Sequence, residues 1–482
     1  MKADIPNVLA SRYASAAMTD IWSPAGKVRL ERRFWVAVLE AQRRLGVPVP
    51  DGVVEDYRAV IDKVDLDSIE ARERVTKHDV KARIEEFCAL AGHEHVHKGL
   101  TSRDLTENVE QLQIRDALVL VRDRMVAGAA RLARLASAHS TTPLTARTHN
   151  VPAQVTTLGK RFANAGEELL QAFKRVEELL ERYPLRGLKG PVGTQADQLE
   201  LLGGDLGRLD DLERTVASQL GFQPILTNVG QVYPRSLDLD VVSALVQVTS
   251  GPASLAVTIR LMAGHDLVTE GFLPGQVGSS AMPHKMNTRS CERIAGLTTV
   301  LRGHLTMVAG LAGDQWAEGD VSCSVVRRVA LPDAFLAVDG LLETFLTVLD
   351  NFAAFPAMIE RELARELPFL ATTRILLALC EAGLGREEAH GLIRDHAVAA
   401  ARARQEDDGG GEGAAGGGGD LIARLAGDGR VPLSEEGLRG AVAAPLEHVG
   451  AARRQVAEFV KQVEAVVARH PEAAGYVPAE IL

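Results

Sequence analysis

The sequence predicts an all-α protein built around a bundle of long helices. Of its residues, 46% are hydrophobic but only 4% are aromatic, a balance that suits packed helices better than a β-sandwich. Alternating β-branched runs separated by tight-turn residues, the usual signal of strands, are scarce. The 482 residues leave room for about three domains, and we expect three helical ones.

Two stretches carry the pattern of bundle helices. In the first, apolar or small residues recur at alternating steps of three and four: Leu118, Val121, Met125, Gly128, Leu132 and Leu135. The second shows similar spacing: Leu158, Phe162, Ala165, Leu169, Ala172, Val176 and Leu180. A period of about 3.5 residues packs helices side by side at shallow angles. We expect the second helix to include Pro152 in its first turn, a position that tolerates proline.

Two further helices are predicted downstream. The first covers 241–262 and contains Gly251 and Pro252, so we expect a kink or break there. The second, 331–352, is apolar on much of its circumference, which indicates burial by neighbouring helices. One bundle made by a single chain cannot hide this much apolar helix surface. We therefore expect the chain to form oligomers.

Changes in the pattern along the chain indicate three domains. The first, 1–118, carries histidine-rich segments and ends where the regular heptads begin. The second, 119–362, contains the bundle helices, and the third, 363–482, is predicted to be helical. A glycine-rich segment at 405–420 is predicted to be a flexible insertion. It lacks the Gly-Lys-Ser/Thr ending of a phosphate-binding loop.

Charge and cysteine content narrow the functional classes. The formal net charge of −10 argues against general nucleic-acid binding, which requires a basic surface. Arg and Lys nevertheless accompany the glycine- and histidine-bearing segments, which suggests a small polyanionic ligand. Four widely spaced cysteines indicate reduced thiols rather than disulfides. We find no apolar signal core and no apolar run long enough to span a membrane, so we expect a cytoplasmic protein without membrane contact.

The segment 275–293 is the strongest functional signal in the chain. Glycines at its start let the backbone bend and approach a ligand, and Ser279 and Ser280 offer hydroxyls that can be activated. Side chains whose donors suit carboxylates follow at Lys285, Asn287, Arg289 and Arg293. The combination predicts a loop that binds and acts on a carboxylate-bearing ligand.

Histidines mark further polar segments. His78 stands beside Asp79, and His149 follows Arg147 and Thr148. Between these two segments lie His93, His95 and His97. A metal site there is a tempting interpretation, but only the first and last of the three would share a helix face. Because no HExxH motif or nearby acidic ligand completes the set, we expect no metal.

Together these segments resemble the adenylosuccinate lyase family of the fumarase/aspartase superfamily over essentially the whole chain. The matching segments are Arg12-Tyr13, His78-Asp79, 99–104, 147–149, 231–235 and the Ser-Ser-Ala-Met-Pro-His-Lys run at 279–285. Fumarases and aspartases usually have Gly-Lys in place of His284-Lys285, and argininosuccinate lyases usually have Gln-Lys. Cycloisomerases that lactonise carboxymuconate share Pro-His-Lys but typically lack the histidine that matches His149.

The resemblance implies a reaction and roles for its main residues. The implied reaction splits adenylosuccinate into AMP and fumarate, and the imidazole counterpart SAICAR into AICAR and fumarate. His149 would be the acid that protonates the departing nitrogen, since imidazole holds and releases a proton near neutrality. Ser279 would be the base once its hydroxyl is activated. Lys285 and Asn287 would bind the succinyl carboxylates, and Glu292 would orient the acid histidine.

Further substrate contacts are implied around these residues. His78 would be a second histidine lining the site and is implied to be catalytic. The implied substrate-binding positions are Asp79, Thr101, Ser102, Thr148, Gln231, Arg235, Ser280 and Met282. The nucleotide end, chiefly its phosphate, would lie against Arg12, Tyr13, His97, Ser324 and Arg328. No cofactor is implied, because cations placed around the substrate's own carboxylate can stabilise the developing charge.

Departures from the family pattern leave alternatives open. Gly319 stands where many relatives have an Arg that helps to hold the substrate, and Arg235 is followed by Ser-Leu-Asp rather than Asp-Arg-His. A paralogue that releases fumarate from another succinyl-amino nucleotide or N-substituted succinate would also fit. A catalytically silent scaffold on the same fold is the third hypothesis, although a scaffold has no need of Ser279, Lys285 and His149.

The resemblance also implies an assembly. Family members are homotetramers with a central multi-helix core, and each active site is built from three subunits. Helical periodicity in this chain predicts the bundle and the need for a partner, and no more than that.

Overall fold

The computed structural model describes residues 5–272, 275, 281–406 and 420–479. Within these ranges α-helices dominate, and short strands form two small antiparallel sheets. The helical class is therefore confirmed, while the strictly all-α prediction is wrong. Ser279, Ser280 and most of the predicted flexible insertion lie outside the described residues.

The N-terminal part is a set of helices that end next to the first histidine segments. These helices are α1 (Val8–Arg12), α2 (Ala16–Trp22), α3 (Pro24–Arg44), α4 (Val53–Ala59), α5 (Leu66–Thr76) and α6 (Asp79–Ala91). Side chains that accept first-turn backbone N–H groups start several of them, including Ser15, Ser23 and Asp65. His78 does the same for α6, so the fold itself fixes one predicted site residue.

The central part contains the long helices. Its elements are α7 (Ser102–Ala138), β1 (Pro143–Thr148), β2 (Val151–Thr157), α8 (Leu158–Arg182), α9 (Ala196–Leu201), α10 (Leu206–Gln219), α11 (Ser236–Val248), α12 (Ser250–Gly264), β3 (Val268–Thr269), α13 (Arg289–Ala309), α14 (Cys323–Asn351) and β4 (Ala353–Ala354). Helices α7, α8, α11, α13 and α14 pack on one another. Strands β1 and β2 form a hairpin, and β3 pairs with β4.

The heptad stripes predicted for α7 and α8 face the core. Every predicted position is buried except the last of each stripe, Leu135 and Leu180, which are half-buried. Helix α7 runs without interruption through residue 118, where a domain boundary is predicted. The N-terminal helices and the bundle consequently share one hydrophobic core. The division into three domains stays a prediction.

The segment after His149 is a β-hairpin, so the predicted helical start at Pro152 is wrong. Pro152 lies in β2 opposite Arg147, beside a register shift at residues 146 and 147, and α8 begins only at Leu158. Proline has no backbone N–H to donate to a neighbouring strand. It is tolerated here because the strand pairing is already irregular at this point.

The predicted break near Gly251 and Pro252 is confirmed, and it lies at Thr249, which separates α11 from α12. In the described part of the chain, the stretch Ser236–Gly264 is long and apolar enough by composition to cross a membrane, contrary to our expectation. Of its apolar window, 56% is buried inside the fold, as for the core helices of a globular protein. The predicted burial of 331–352 is confirmed in α14, where nearly every side chain from Ala330 to Leu349 is buried.

The C-terminal part leaves the bundle and returns to it. Its elements are α15 (Pro356–Leu370), α16 (Thr372–Glu381), α17 (Arg386–Glu406), α18 (Leu421–Ala426), α19 (Glu435–Val442), a 3₁₀ turn (Pro445–His448), α20 (Ala452–Arg469) and α21 (Pro471–Ala474). Helices α16 to α19 enclose a small core of their own. Helix α20 packs against α7 and α8, where Phe459 fills the space left by Gly166. The predicted boundary at 362 lies inside α15.

Candidate active site

Several predicted residues meet where helices α6 and α7 begin. His78 accepts the backbone N–H of Lys81 at Nδ1 (3.3 Å), which directs Nε2 to within 3.5 Å of the Ser102 hydroxyl. In this neutral tautomer the ring proton is on Nε2. Thr101 caps α7 and donates its own N–H to Asp104 (2.9 Å). His78, Thr101 and Ser102 are therefore brought together within one chain.

His97 lies beside this group as a fixed neutral imidazole. Its Nδ1 accepts a hydrogen bond from the indole N–H of Trp35 (3.0 Å), and its backbone is left-handed (φ 68°). Burial, partly offset by Asp104, lowers the pKa of His97 to about 4. With Nδ1 occupied as an acceptor, Nε2 carries a proton that can be donated to a ligand.

Asp79 is held by its own helix. Its carboxylate accepts from the Arg83 guanidinium (2.9 Å) and from the backbone N–H of Val80 (2.8 Å). Burial acts to raise the pKa of Asp79, but Arg83 and these hydrogen bonds outweigh it, so the pKa is lowered. Asp79 therefore places a permanent negative charge at the start of α6.

The start of α14 is tied to the start of α7. Ser324 accepts a hydrogen bond from Nη2 of Arg103 (3.2 Å), and Arg328 lies exposed one turn further along α14. The predicted phosphate contacts on α14 thus lie next to the group formed by His78 and Ser102. Arg103 is absent from the predicted site, although its position beside Ser102 in the sequence is a signal that could have included it.

Arg235 occupies the interior. Its guanidinium is fully buried and lies 2.9 Å from each carboxylate oxygen of Glu107, so within one chain it holds the 231–235 segment against α7. Gln231 donates its backbone N–H to the carbonyl of Glu318 (2.6 Å). The predicted substrate contacts of Arg235 and Gln231 stay predictions.

Gly319 is explained by its backbone and its neighbours. It has a left-handed conformation (φ 103°), and an added Cβ would lie 2.9 Å from the Val232 side chain. A larger residue at this position would be strained and crowded, so the local backbone accounts for a glycine at 319.

A buried ionic network connects these segments. Arg327 on α14 donates to Asp238 (2.7 Å), to Glu110 and to the hydroxyl of Tyr233, and lies 3.7 Å from Glu107. Burial alone would lower the pKa of Arg327, but the surrounding acids hold it well above its usual range. The network, which sequence patterns do not reveal, joins α7, α11 and α14.

The hairpin between β1 and β2 presents His149. Thr148 pairs with Val151, and the two loop residues have positive φ angles, 54° for His149 and 61° for Asn150. These are the features of a type I′ turn, which matches the twist of two strands. Thr148 and His149 are exposed. Arg147 forms an ion pair with Glu362 on α15 and so holds the hairpin close to its tip.

The described part of the signature loop, 281–288, leads into α13. Lys285 donates its N–H to the carbonyl of Met282 (3.0 Å), and Asn287 donates to that of Lys285 (3.2 Å), which forms a tight turn. The side chains of Met282 and Lys285 are exposed. Glu292 is also exposed in the first turn of α13 and lies 3.7 Å from Arg260.

Glu270 holds the first turn of α13 in place. Its buried carboxylate accepts the backbone N–H groups of Ser290 (2.8 Å) and Cys291 (2.9 Å), as a helix N-terminus favours. Nearby, the Arg293 guanidinium lies 5.4 Å from the ring centre of Tyr13. Arg12 is exposed beside it.

Among the described residues, no group of three or more His, Cys, Asp or Glu side chains could hold a metal ion. The histidines that suggested such a site bind different partners. His93 bonds Asp56 (2.8 Å) and His95 bonds Lys98 (2.8 Å), while His97 bonds Trp35.

Comparison with known proteins places the chain in a family. A family model described as "Lyase" matches residues 26–303, and one described as "Adenylosuccinate lyase C-terminus" matches 368–459. A curated adenylosuccinate lyase of Saccharomyces cerevisiae is 35% identical over 464 residues, covering 94% of this chain and 93% of the relative. The chain belongs to the adenylosuccinate lyase family. As a member of this family it is an enzyme of the lyase class.

Another curated relative agrees with this membership, and solved structures share the fold. The adenylosuccinate lyase of Schistosoma mansoni is 34% identical over 82% of this chain and 83% of its own length. The structure of 3-carboxy-cis,cis-muconate lactonizing enzyme from Pseudomonas putida superposes with a TM-score of 0.80 at 23% identity, covering 95% of this chain and 99% of that chain. The fumarate lyase from Mesorhizobium sp. BNC1 gives 0.76 at 24%, covering 93% and 98%. At these identities the two structures show the fold alone.

Proposed function

We propose that the chain cleaves adenylosuccinate into AMP and fumarate, and SAICAR into AICAR and fumarate. The observation that carries the proposal is the similarity to curated adenylosuccinate lyases over nearly the whole chain, with a family-specific match at the C-terminal part. The residues that the chemistry needs are present at the matching positions.

The proposed chemistry is an elimination by general acid and base. Ser279 removes a proton from the carbon next to one carboxylate, and the electron pair left on that carbon spreads into the carboxylate. Lys285 and Asn287 stabilise the resulting charge. The C–N bond then breaks, and His149, oriented by Glu292, gives a proton to the departing nitrogen. The double bond of fumarate forms between the two carbons.

The length of α7 supports active sites that are shared between chains. This helix has 37 residues, so it is about 55 Å long. Ser102 lies at one end, and His149 lies ten residues beyond His139 at the other, a reach of at most ~36 Å. His149 and Ser102 of one chain are thus separated by at least roughly 20 Å. This separation supports a site in which the two residues come from different chains.

An exposed apolar face supports an oligomer. Large hydrophobic side chains reach the surface of α12, α13 and α14 at Val257, Leu261, Val300, Met307, Val325 and Val329. On α13, an added Cβ at Gly296 or Gly303 would meet nothing within 4 Å, so another helix could approach closely there. We propose that this face forms the core of a homotetramer, which we expect in the cytoplasm.

The activity is tested by incubating the purified chain with adenylosuccinate and following fumarate and AMP. Turnover that disappears in Ser279→Ala would support both the reaction and its base. A folded oligomer without turnover would contradict the proposal, and the same assay would then use other succinyl-amino nucleotides.

Shared sites are tested by mixing two inactive variants. His149→Ala and His78→Ala should each be inactive alone, and subunit exchange between them should restore turnover, because some mixed sites receive both intact histidines. The matched control mixes His149→Ala with a second variant of the same hairpin, Thr148→Ala/His149→Ala. No recovery in the first mixture, with exchange demonstrated by mass-tagged chains, would contradict sharing.

A further inference from the structure

We propose that Arg103 determines specificity for the anionic end of the substrate, because it adds a cation beside Ser324 and fixes the Ser324 hydroxyl as a donor. The inference rests on the proposed function, in which Ser324 and Arg328 contact the phosphate. It adds a residue that the sequence comparison with the family did not assign to the site.

The hydrogen bond from Arg103 determines whether the Ser324 hydroxyl donates or accepts toward a ligand. Arg103 approaches the Ser324 oxygen with Nη2 at 3.2 Å. A guanidinium has donors and no acceptor, so the serine oxygen must accept. The hydroxyl hydrogen then remains for a different acceptor, and an anionic oxygen is the strongest one. Arg103 therefore turns Ser324 into a donor for a phosphate.

The charge of Arg103 is only partly neutralised. Among the described residues, its one carboxylate contact is Glu107 at 3.3 Å. Glu107 already has the buried Arg235 at 2.9 Å from both oxygens. Arg327 also lies 3.7 Å from the same carboxylate. Of these three arginines, Arg103 alone reaches the surface, with 17% of its side chain exposed. Arg327 has two acidic partners of its own, whereas Glu107 is shared between Arg235 and Arg103. Part of the positive charge of Arg103 is therefore available to a ligand.

The position of Arg103 in α7 is unfavourable for the helix itself. It lies in the first turn of this helix, where the helix dipole favours negative side chains and disfavours a cation. The same dipole and the first-turn N–H groups favour a bound anion. The ion pair with Glu107 offsets this unfavourable position only in part, and a bound anion would offset it further, which argues for a ligand.

The test compares Arg103→Met with Arg122→Met. Arg122 is on the same helix, is 23% exposed and pairs with its neighbour Asp123, so it matches Arg103 in type and setting away from Ser324. For Arg103→Met we expect KM for adenylosuccinate to rise about 10- to 100-fold with kcat changed less than about threefold, as for loss of a charge-assisted contact. Arg122→Met should leave both unchanged, and Arg103→Lys should be intermediate.

Binding measurements separate the phosphate from the rest of the nucleotide. Calorimetry with AMP, adenosine and inorganic phosphate should show weaker AMP and phosphate binding in Arg103→Met, with adenosine unaffected. Equal weakening of AMP and adenosine, or a fall in kcat at constant KM, would overturn the inference. If Arg103→Met does not fold, Arg103→Lys provides the same comparison.

These measurements also distinguish the two proposals. If the wild-type chain releases no fumarate from adenylosuccinate, the proposed function fails. The binding of inorganic phosphate by wild type and Arg103→Met still decides the role of Arg103, because it needs no turnover.

Discussion

The group around Ser102 differs from the tip of the β1–β2 hairpin in how firmly a single chain holds the side chains. His78, His97 and Ser324 have side chains that are held by hydrogen bonds from their own chain. At the hairpin tip, the backbone of His149 is fixed by a tight turn while its side chain is exposed. Lys285 in the signature loop is exposed in the same way.

This difference separates two kinds of site residue. Side chains proposed to bind the ends of a substrate are held by hydrogen bonds within one chain, which lowers the entropy lost on binding. The residues proposed to move protons or stabilise charge are presented at the surface, where their surroundings must be completed by another chain or by the substrate. Each prediction below disturbs one side of this comparison.

The largest effect is expected at the hairpin tip. His149→Ala should lower kcat about 10²- to 10⁴-fold, because a positioned general acid contributes that much. The exposed side chain supports no packing, so thermal unfolding should be unchanged. Steady-state kinetics with a melting curve checks both. Turnover close to that of the wild type would remove His149 from the mechanism.

A large loss of stability is expected when the buried ionic network around Arg327 is disrupted. Arg327→Met leaves buried acids without their partner and should lower the free energy of unfolding by about 3–5 kcal/mol. Urea unfolding measures this. The exposed pair of Arg74 and Glu70 provides the control, since Arg74→Met should change stability far less than Arg327→Met. Equal effects of the two variants would contradict a structural role for the network.

The neutral state of His97 predicts a pH dependence. Its pKa falls from 6.5 to about 4 on folding, so the stability from the neutral ring is fully present above pH 6.5 and is lost as the pH falls toward 4. The loss should reach about 2–3 kcal/mol. Urea unfolding at several pH values, followed by tryptophan fluorescence, would show it. His97→Gln should remove this part of the pH dependence, and an unchanged profile would argue against it.

The smallest effect is expected where α14 supports the N-terminal Arg12-Tyr13 segment. At Gly340 an added Cβ would lie 2.7 Å from the Cβ of Tyr13, so Gly340→Ala should shift that segment and raise KM about 3- to 10-fold, with kcat nearly constant. Gly391→Ala on α17, where an added Cβ meets nothing, is the matched control. It should leave kinetics unchanged. A lower kcat at constant KM in Gly340→Ala would disagree with a binding role.

Much of the fold follows from local patterns. The stripes of α7 and α8 were predictable because helical packing repeats within a few residues, and the break at Thr249 because Gly251 and Pro252 disturb helices locally. The hairpin was missed although Pro152 and the β-branched residues of β2 were visible signals. The left-handed pair His149-Asn150 closes it, and asparagine commonly accepts that conformation.

The parts of the site that could not be predicted depend on distant contacts. Glu107 and Arg327 are far apart in sequence, and nothing in either segment indicates that they meet. The same holds for Arg103 and Ser324. Motif similarity identified Ser324 as a ligand contact, but only the three-dimensional arrangement shows which cation lies beside it. Helix α7 passes through the predicted boundary at 118 because no helix-disrupting residue interrupts it.

The return of α20 to the bundle has a consequence for biosynthesis. Phe459 fills the space over Gly166 on α8, and the backbone of Ala479 donates to Glu343 in α14 (3.0 Å). The central core is therefore completed only after residues 452–479 have left the ribosome. A nascent chain that stops before residue 452 leaves this groove of α7 and α8 open, and quality-control proteases and chaperones that bind apolar surface will recognise it.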